Sequence, residues 1–286
     1  MPETRLVITG ARGQVGRFLA AEAARQGREV LALTSAQWDI ADPSAAEAIV
    51  EPGDIVVNCG AYTAVDAAET DEARARAVNA DGPGHMARAC ARAGARLIHI
   101  STDYVFGGRF SDGPQPYDIH DATEPLSVYG RTKLAGERAV HAALPTAHVV
   151  RTAWVYTGVG GDFVATMRRL AAGDGTVDVV ADQVGSPTYV GDLVSALLTV
   201  VDGRVGAPLL HAANEGAVSR FEQARAVFDG VGADPARVRP VGSDRHPRPA
   251  PRPAYSALSG RLSAVAGLTP LRPWREALMA ALCAAQ

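Results

Sequence analysis

Short, continuous apolar runs punctuate the N-terminal half of the chain. Arg5-Leu6-Val7-Ile8-Thr9, Glu29-Val30-Leu31-Ala32-Leu33, Asp54-Ile55-Val56-Val57-Asn58, Arg96-Leu97-Ile98-His99-Ile100 and His148-Val149-Val150-Arg151-Thr152 are too short for helices and do not alternate. That is the pattern of strands covered on both faces of a parallel sheet. Helical stretches separate them, and the order predicts an α/β fold with a Rossmann-type doubly wound parallel sheet over residues 1–152, closed by His148–Thr152. Beyond it, Val177–Ala181 and Leu209–Ala212 read as strands of a smaller C-terminal α/β domain, 153–286. The apolar helix from Gly191 to Asp202 is expected to pack back on the first domain.

After the first strand comes Gly10-Ala11-Arg12-Gly13-Gln14-Val15-Gly16. Strand, glycine turn, then helix is a dinucleotide site in the making: glycines permit a tight turn and close approach, and helix N–H groups receive the pyrophosphate. An acid that would hold a ribose 2′-hydroxyl is missing after the second strand, where Thr34 and Ser35 stand. With Arg12 nearby, the pattern leans towards NADPH, NADH being the other donor. Ligands bind off the carboxyl ends of parallel strands, which places Ala61, Tyr62 and Thr63 after the third strand to line the cofactor. Ile100, also a cofactor candidate, ends the fourth strand, which delivers Thr102 and Asp103. Asp66, in Asp66-Ala67-Ala68-Glu69, fits a helix N-cap. Asp103 could bond a substrate hydroxyl or open a turn as an Asx residue. Gly107 to Pro125 reads as a long loop.

Tyr129 and Lys133 lie four residues apart, on one face of a predicted helix. An adjacent ammonium favours a phenolate, so the pair suggests a general acid working near neutral pH. Composition sharpens this: of 28 Lys+Arg, the one lysine is Lys133. With seven Tyr in 286 residues, chance would put one four positions before it about 2–3% of the time. Arginine cannot offer a compact, titratable ammonium.

Net charge is −3 without a long single-sign run, so neither a nucleic-acid stripe nor a membrane surface is indicated. No stretch nears 18 apolar residues and no leader pattern opens the chain, so a cytoplasmic protein is expected. Cys59, Cys90 and Cys283 read as small core residues in a reducing compartment, and His211 and His246 need no role.

Gly13-Gln14-Val15-Gly16, Ala61 to Asp66, Ser101-Thr102-Asp103-Tyr104-Val105-Phe106 and Val128-Tyr129-Gly130-x-x-Lys133-x-x-Gly136-Glu137 together resemble the dTDP-4-dehydrorhamnose reductase family of extended short-chain dehydrogenase/reductases. The likeness continues through Arg151 to Tyr156, Asp182 to Thr188 and Arg252 to Ser256, nearly the whole chain. It implies reduction of a 4-keto sugar nucleotide by NAD(P)H, with Tyr129 as acid, Thr102 on the same oxygen and Lys133 on the nicotinamide ribose. It also implies that Asp39 and Ile40 line the adenine pocket, that Asn79 supports the active-site backbone, that Trp154 is a platform for the sugar, and that Ser186, Pro187, Thr188 and Arg252 bind substrate. Sugar-nucleotide epimerases or dehydratases, and a non-catalytic NADP-binding regulatory subunit, are the rival readings. Some members of the family hold Mg²⁺ through C-terminal acids at a dimer contact; here Glu276 is the only acid near the end, so no metal site carries over and a monomer or weak homodimer is expected. Ser259 stands where the family more often has Asp.

Overall fold

The computed structural model describes residues 4–110 and 113–285, so Ser111 and Asp112 of the long loop and Gln286 of the C-terminal stretch lie outside the described residues. Strands β1 (Leu6–Thr9), β2 (Val30–Leu33), β3 (Ile55–Asn58), β4 (Arg96–Thr102) and β5 (His148–Thr152) form a parallel sheet. A sixth strand, Leu209–His211, pairs parallel to β5 on its outer side, giving the order Leu209–His211, β5, β4, β3, β1, β2. β5 is therefore not the closing strand. The run Leu209–His211 is visible in the sequence, but its partner lies more than fifty residues earlier, and three residues carry no signal of pairing.

Continuous apolar runs are explained by what covers them. Leu6, Ile8, Ile55, Val57, Ile98 and Val150 point into one core, against Leu19 and Ala23 of helix α1 (Gln14–Arg25) and against Leu193, Val194 and Leu197 of the helix Val190–Val201. The intervening residues Val7, Val56, Leu97 and Val149 enter a second core on the other face, with Met86, Cys90 and Val140. Successive strand side chains face opposite ways, so both must be apolar. The helix Val190–Val201 does pack back on the sheet, and its nearly all-round apolar surface reflects that burial.

A separate core gathers Tyr156, Val164, Met167, Phe228, Leu278 and Leu282 from the C-terminal half. Three two-stranded pairs frame it: Val177–Val180 with Val238–Val241, Val155–Tyr156 with Thr188–Tyr189, and Val184–Gly185 with Val218–Ser219. Among the described residues, no helix is long and apolar enough to cross a membrane. Cys90 is buried and Cys59 half-buried, but Cys283 is exposed on the outer face of the last helix, Trp274–Ala284, contrary to its reading as a core residue.

Candidate active site

A cleft of about 990 Å³ opens at the carboxyl ends of the strands, where the strand order reverses between β1 and β3. The glycine turn forms one end. Gly10 has φ +65°, and a Cβ there would lie 2.7 Å from Gly60 N. At Gly16 a Cβ would run into the carbonyl of Gly10, so only glycine lets helix α1 sit so close to the turn. Gly13 is the N-cap of α1 without a side-chain cap bond, which leaves N–H groups of the first helical turn free for an anion. Gly10, Arg12, Gly13, Gln14 and Val15 line the cleft there, and Asp39, Ile40, Ala61, Tyr62, Thr63 and Ile100 line it further along. Thr34 does not. Its hydroxyl and N–H both bond Gln37 Oε1, at 2.9 and 3.0 Å, and the neighbouring Ser35 reaches the wall instead.

The helix Val128–Ala143 carries the two central side chains. Ser127 caps it by accepting from Gly130 N at 3.1 Å. Gly130 and Gly136 allow a close approach: a Cβ at either would strike a backbone carbonyl, of Tyr104 and Asn79 respectively. Asn79, in a π-helical turn (Ala77–Asp81), accepts from Tyr62 N at 2.8 Å and donates to Tyr62 O and Thr132 Oγ1. It thus pins the strand-end loop to the Tyr129 helix, as expected. Glu137 fixes the same helix to β4 and β5, accepting from Ser101 Oγ at 2.5 Å and from both Arg151 Nε and Nη2 at 2.9 and 2.7 Å. Removing one partner of such a buried pair typically costs about 3–5 kcal/mol.

Tyr129, Lys133, Thr102 and Asp103 share the cleft. Burial pushes the Tyr129 phenol well above its ordinary value, opposed in part by the Thr102 hydroxyl beside it. That corrects the expectation that Lys133 lowers it. Lys133 is turned to the sheet, donating to Ile100 O at 2.7 Å with Nζ 3.4 Å from His99 Nε2. Burial lowers Lys133 itself to about 8, against the opposing charge of Glu137. Asp103 is only 2% exposed and is pushed up to about 6 by burial, although it accepts from Thr102 Oγ1 at 3.1 Å and Ser256 Oγ at 2.6 Å. The turn after β4 is capped by Thr102, which accepts from Tyr104 N, so Asp103 is not an Asx residue.

The opposite wall belongs to Trp154 and Arg220. Trp154 has φ +46°, a strained value for a bulky residue. Its indole lies against Gly185, where a Cβ would overlap the ring, and under the Arg220 guanidinium, 3.5 Å from the ring centroid. The remaining substrate candidates are engaged elsewhere. Ser186 donates to Gly216 O and accepts from Leu258 N, both at 3.1 Å; Thr188 donates to Ser186 O; Pro187 is buried between them. Arg252 pairs with Asp66 at 2.6 and 3.0 Å, joining the Val65–Ala68 turn to the 248–253 loop. Asp66 is therefore an ion-pair partner and not a cap: Ala64 holds the N-cap position, and Glu69 accepts from Val128 N.

The family model described as the RmlD substrate binding domain matches residues 4–286. This chain belongs to the RmlD family. Among its relatives in that family, a protein of Mycobacterium tuberculosis (strain ATCC 25618 / H37Rv) named dTDP-4-dehydrorhamnose reductase is 67% identical over 282 residues, 98% of this chain and 93% of the relative. A solved dTDP-4-dehydrorhamnose reductase from Clostridium acetobutylicum superposes with a TM-score of 0.93 at 36% identity, covering 99% of this chain and all of that one. The Bacillus anthracis str. Ames enzyme, solved in complex with NADP, gives 0.92 at 34% identity over 99% of each chain. In this RmlD-family chain, two cleft groups and one buried neighbour escaped the motifs: Arg220, Arg74, which pairs with Asp39 at 3.5 Å, and His99, inside the sheet behind Lys133. Two are single arginines in an arginine-rich chain, and the third is a polar residue inside a buried strand, so nothing in their spacing marked them.

Proposed function

We infer that the chain is a reductase of a 4-keto sugar nucleotide, converting dTDP-4-dehydro-L-rhamnose to dTDP-L-rhamnose with NADPH. The observation that carries this is one cleft holding Tyr129, Thr102 and Lys133 opposite the uncapped start of α1, in a chain 67% identical to a named reductase. The uncapped N–H groups of that helix fit a dinucleotide diphosphate. Arg12, Arg74 and Ser35, with no acid at the end of β2, suit a 2′-phosphate better than a bare ribose.

A bound nicotinamide supplies the hydride to the ketone carbon. Tyr129, whose raised pKa keeps the phenol protonated at neutral pH, gives that proton to the substrate oxygen as negative charge develops on it. Thr102 hydrogen-bonds the same oxygen and stabilises that charge. Lys133 holds the nicotinamide ribose. Arg220, whose guanidinium is stacked on Trp154 and among the described residues makes one hydrogen bond, to Gln223 at 3.2 Å, keeps donors free for the substrate diphosphate, and Trp154 gives the sugar its flat wall. Among the described residues, those up to 152, the helix 190–201 and the strand 209–211 form the cofactor lobe, with most of the rest closing over the substrate.

The test follows NADPH absorbance with purified protein and enzymatically generated dTDP-4-keto-6-deoxy-L-mannose. Stoichiometric oxidation with formation of dTDP-L-rhamnose is expected. Cofactor bound but never consumed would reject the reductase and favour an epimerase or a regulatory subunit.

A further inference from the structure

Behind Lys133 a line of buried polar side chains runs into the sheet: His99 from β4, Asn58 from β3 and Thr9 from β1, none more than 1% exposed. Their hydrogen positions can be assigned in sequence. Gly60 N–H can only donate, and it donates to Asn58 Oδ1 at 3.0 Å, where Thr9 Oγ1 also donates at 2.7 Å. The amide orientation is thereby fixed, and Asn58 Nδ2 faces His99 Nδ1 at 3.0 Å. An NH₂ group is a donor only, so Nδ1 must present its lone pair. In a neutral imidazole the proton then sits on Nε2. Nε2 lies 3.4 Å from Lys133 Nζ, which donates in its turn to Ile100 O. An ammonium has three donors and no acceptor, so it would set hydrogen against hydrogen here; an amine has a lone pair to accept with.

We propose that His99 is a positioning residue: fixed by Asn58 as the Nε2–H tautomer, it donates to Lys133 and favours the neutral amine of this lysine in the ligand-free protein, and entry of cofactor shifts Lys133 towards the ammonium with net proton uptake from solvent. The second step rests on the reading of Lys133 as the ribose-holding residue. The negative charge of the cofactor favours the ammonium, which leaves His99 for the ribose hydroxyls. The other titratable groups facing this pair do not supply an alternative partner. Glu137 is committed to Arg151 and Ser101. Burial holds the Cys59 thiol up at about 12 and the Tyr129 phenol protonated. His141 acts on His99 only through its charge, in the same direction as burial and Lys133, all of which disfavour the imidazolium. The low proton affinity of Lys133 agrees with the geometry.

The composition offers a direct test. Lys133 is the only lysine, so protein labelled with ¹⁵N at the lysine ε-amino position gives one signal that needs no assignment. Its titration in the ligand-free protein is expected to centre near 8. In His99→Phe the midpoint should move up by at least about one unit, a tenfold gain in proton affinity. Asn58→Ser keeps the imidazole in place but frees its tautomer, and should move the midpoint the same way; it carries the comparison if the Phe variant does not fold. Saturating NADPH should also raise the wild-type midpoint. A wild-type midpoint at the ordinary lysine value of about 10.4, or no movement in a folded variant, would overturn the His99 coupling. No movement with NADPH would overturn the proton uptake. A protein that shows the coupling yet never oxidises NADPH with the keto sugar would keep the His99–Lys133 inference and lose the function.

Discussion

The two walls of the cleft were built by different means. On the cofactor side, nearly every residue marked by sequence motif reaches the cavity: the glycine turn, Asp39 and Ile40, Ala61 to Thr63, Tyr129 and Lys133. On the substrate side Thr102, Asp103 and Trp154 do, while Ser186, Thr188 and Arg252 bond the protein itself and Pro187 is buried among them. Motifs on the cofactor side sit where a parallel strand ends, and a strand end has a fixed place relative to the next helix. The substrate side is assembled from two-stranded pairs and turns whose neighbours are distant in sequence. There a motif can serve the scaffold as readily as the ligand.

The largest effect expected on the cofactor side is at Tyr129. Tyr129→Phe should lower kcat by about 10²–10⁴-fold with NADPH affinity unchanged, measured by steady-state turnover and cofactor titration. Unchanged turnover would place the acid elsewhere. Next comes Asp103, where the walls meet. Burial raises its carboxyl to about 6, above the 3.8 of an exposed group, so its neutral form suits the fold. Its contribution to stability is therefore full below about pH 4 and is lost as pH rises through 6, by on the order of 3 kcal/mol. Urea midpoints at about pH 4.5 and 7.5 should show this loss as the difference between wild type and Asp103→Asn, since the buried histidines His99 and His211, whose pKa values are lowered, contribute the opposite slope to both proteins.

The substrate wall can be divided in the same way. Arg220→Met should raise KM for the sugar nucleotide by about 10–100-fold, the worth of a hydrogen bond to a charged group, while NADPH affinity stays put. Ser186→Ala should do the reverse, costing about 1–3 kcal/mol in urea because Leu258 N and Gly216 O lose their partner, with KM untouched. A KM change in that variant would return Ser186 to the substrate. The smallest effect is at Thr34: Thr34→Ala should leave NADPH affinity within about 0.5 kcal/mol, since its hydroxyl is spent on Gln37.

Sequence by itself determined the parallel sheet, because continuous apolar runs have only one use there: Leu6 and Ile8 fill one core while Val7 fills the other. It also determined the glycine turn and the Tyr129–Lys133 pair, which depend on spacing within one element. Three things were left to the tertiary structure. The Leu209–His211 strand joins the sheet outside β5, a pairing set by packing of the returning helix and not by three residues. Asp66 and Arg252, which read as a cap and a substrate residue, form an ion pair only because the fold brings their loops together. The direction of the Tyr129 shift was reversed because a four-residue spacing says that two groups share a helix face but not how deeply each is buried, and burial is the larger influence on a phenol in this cleft.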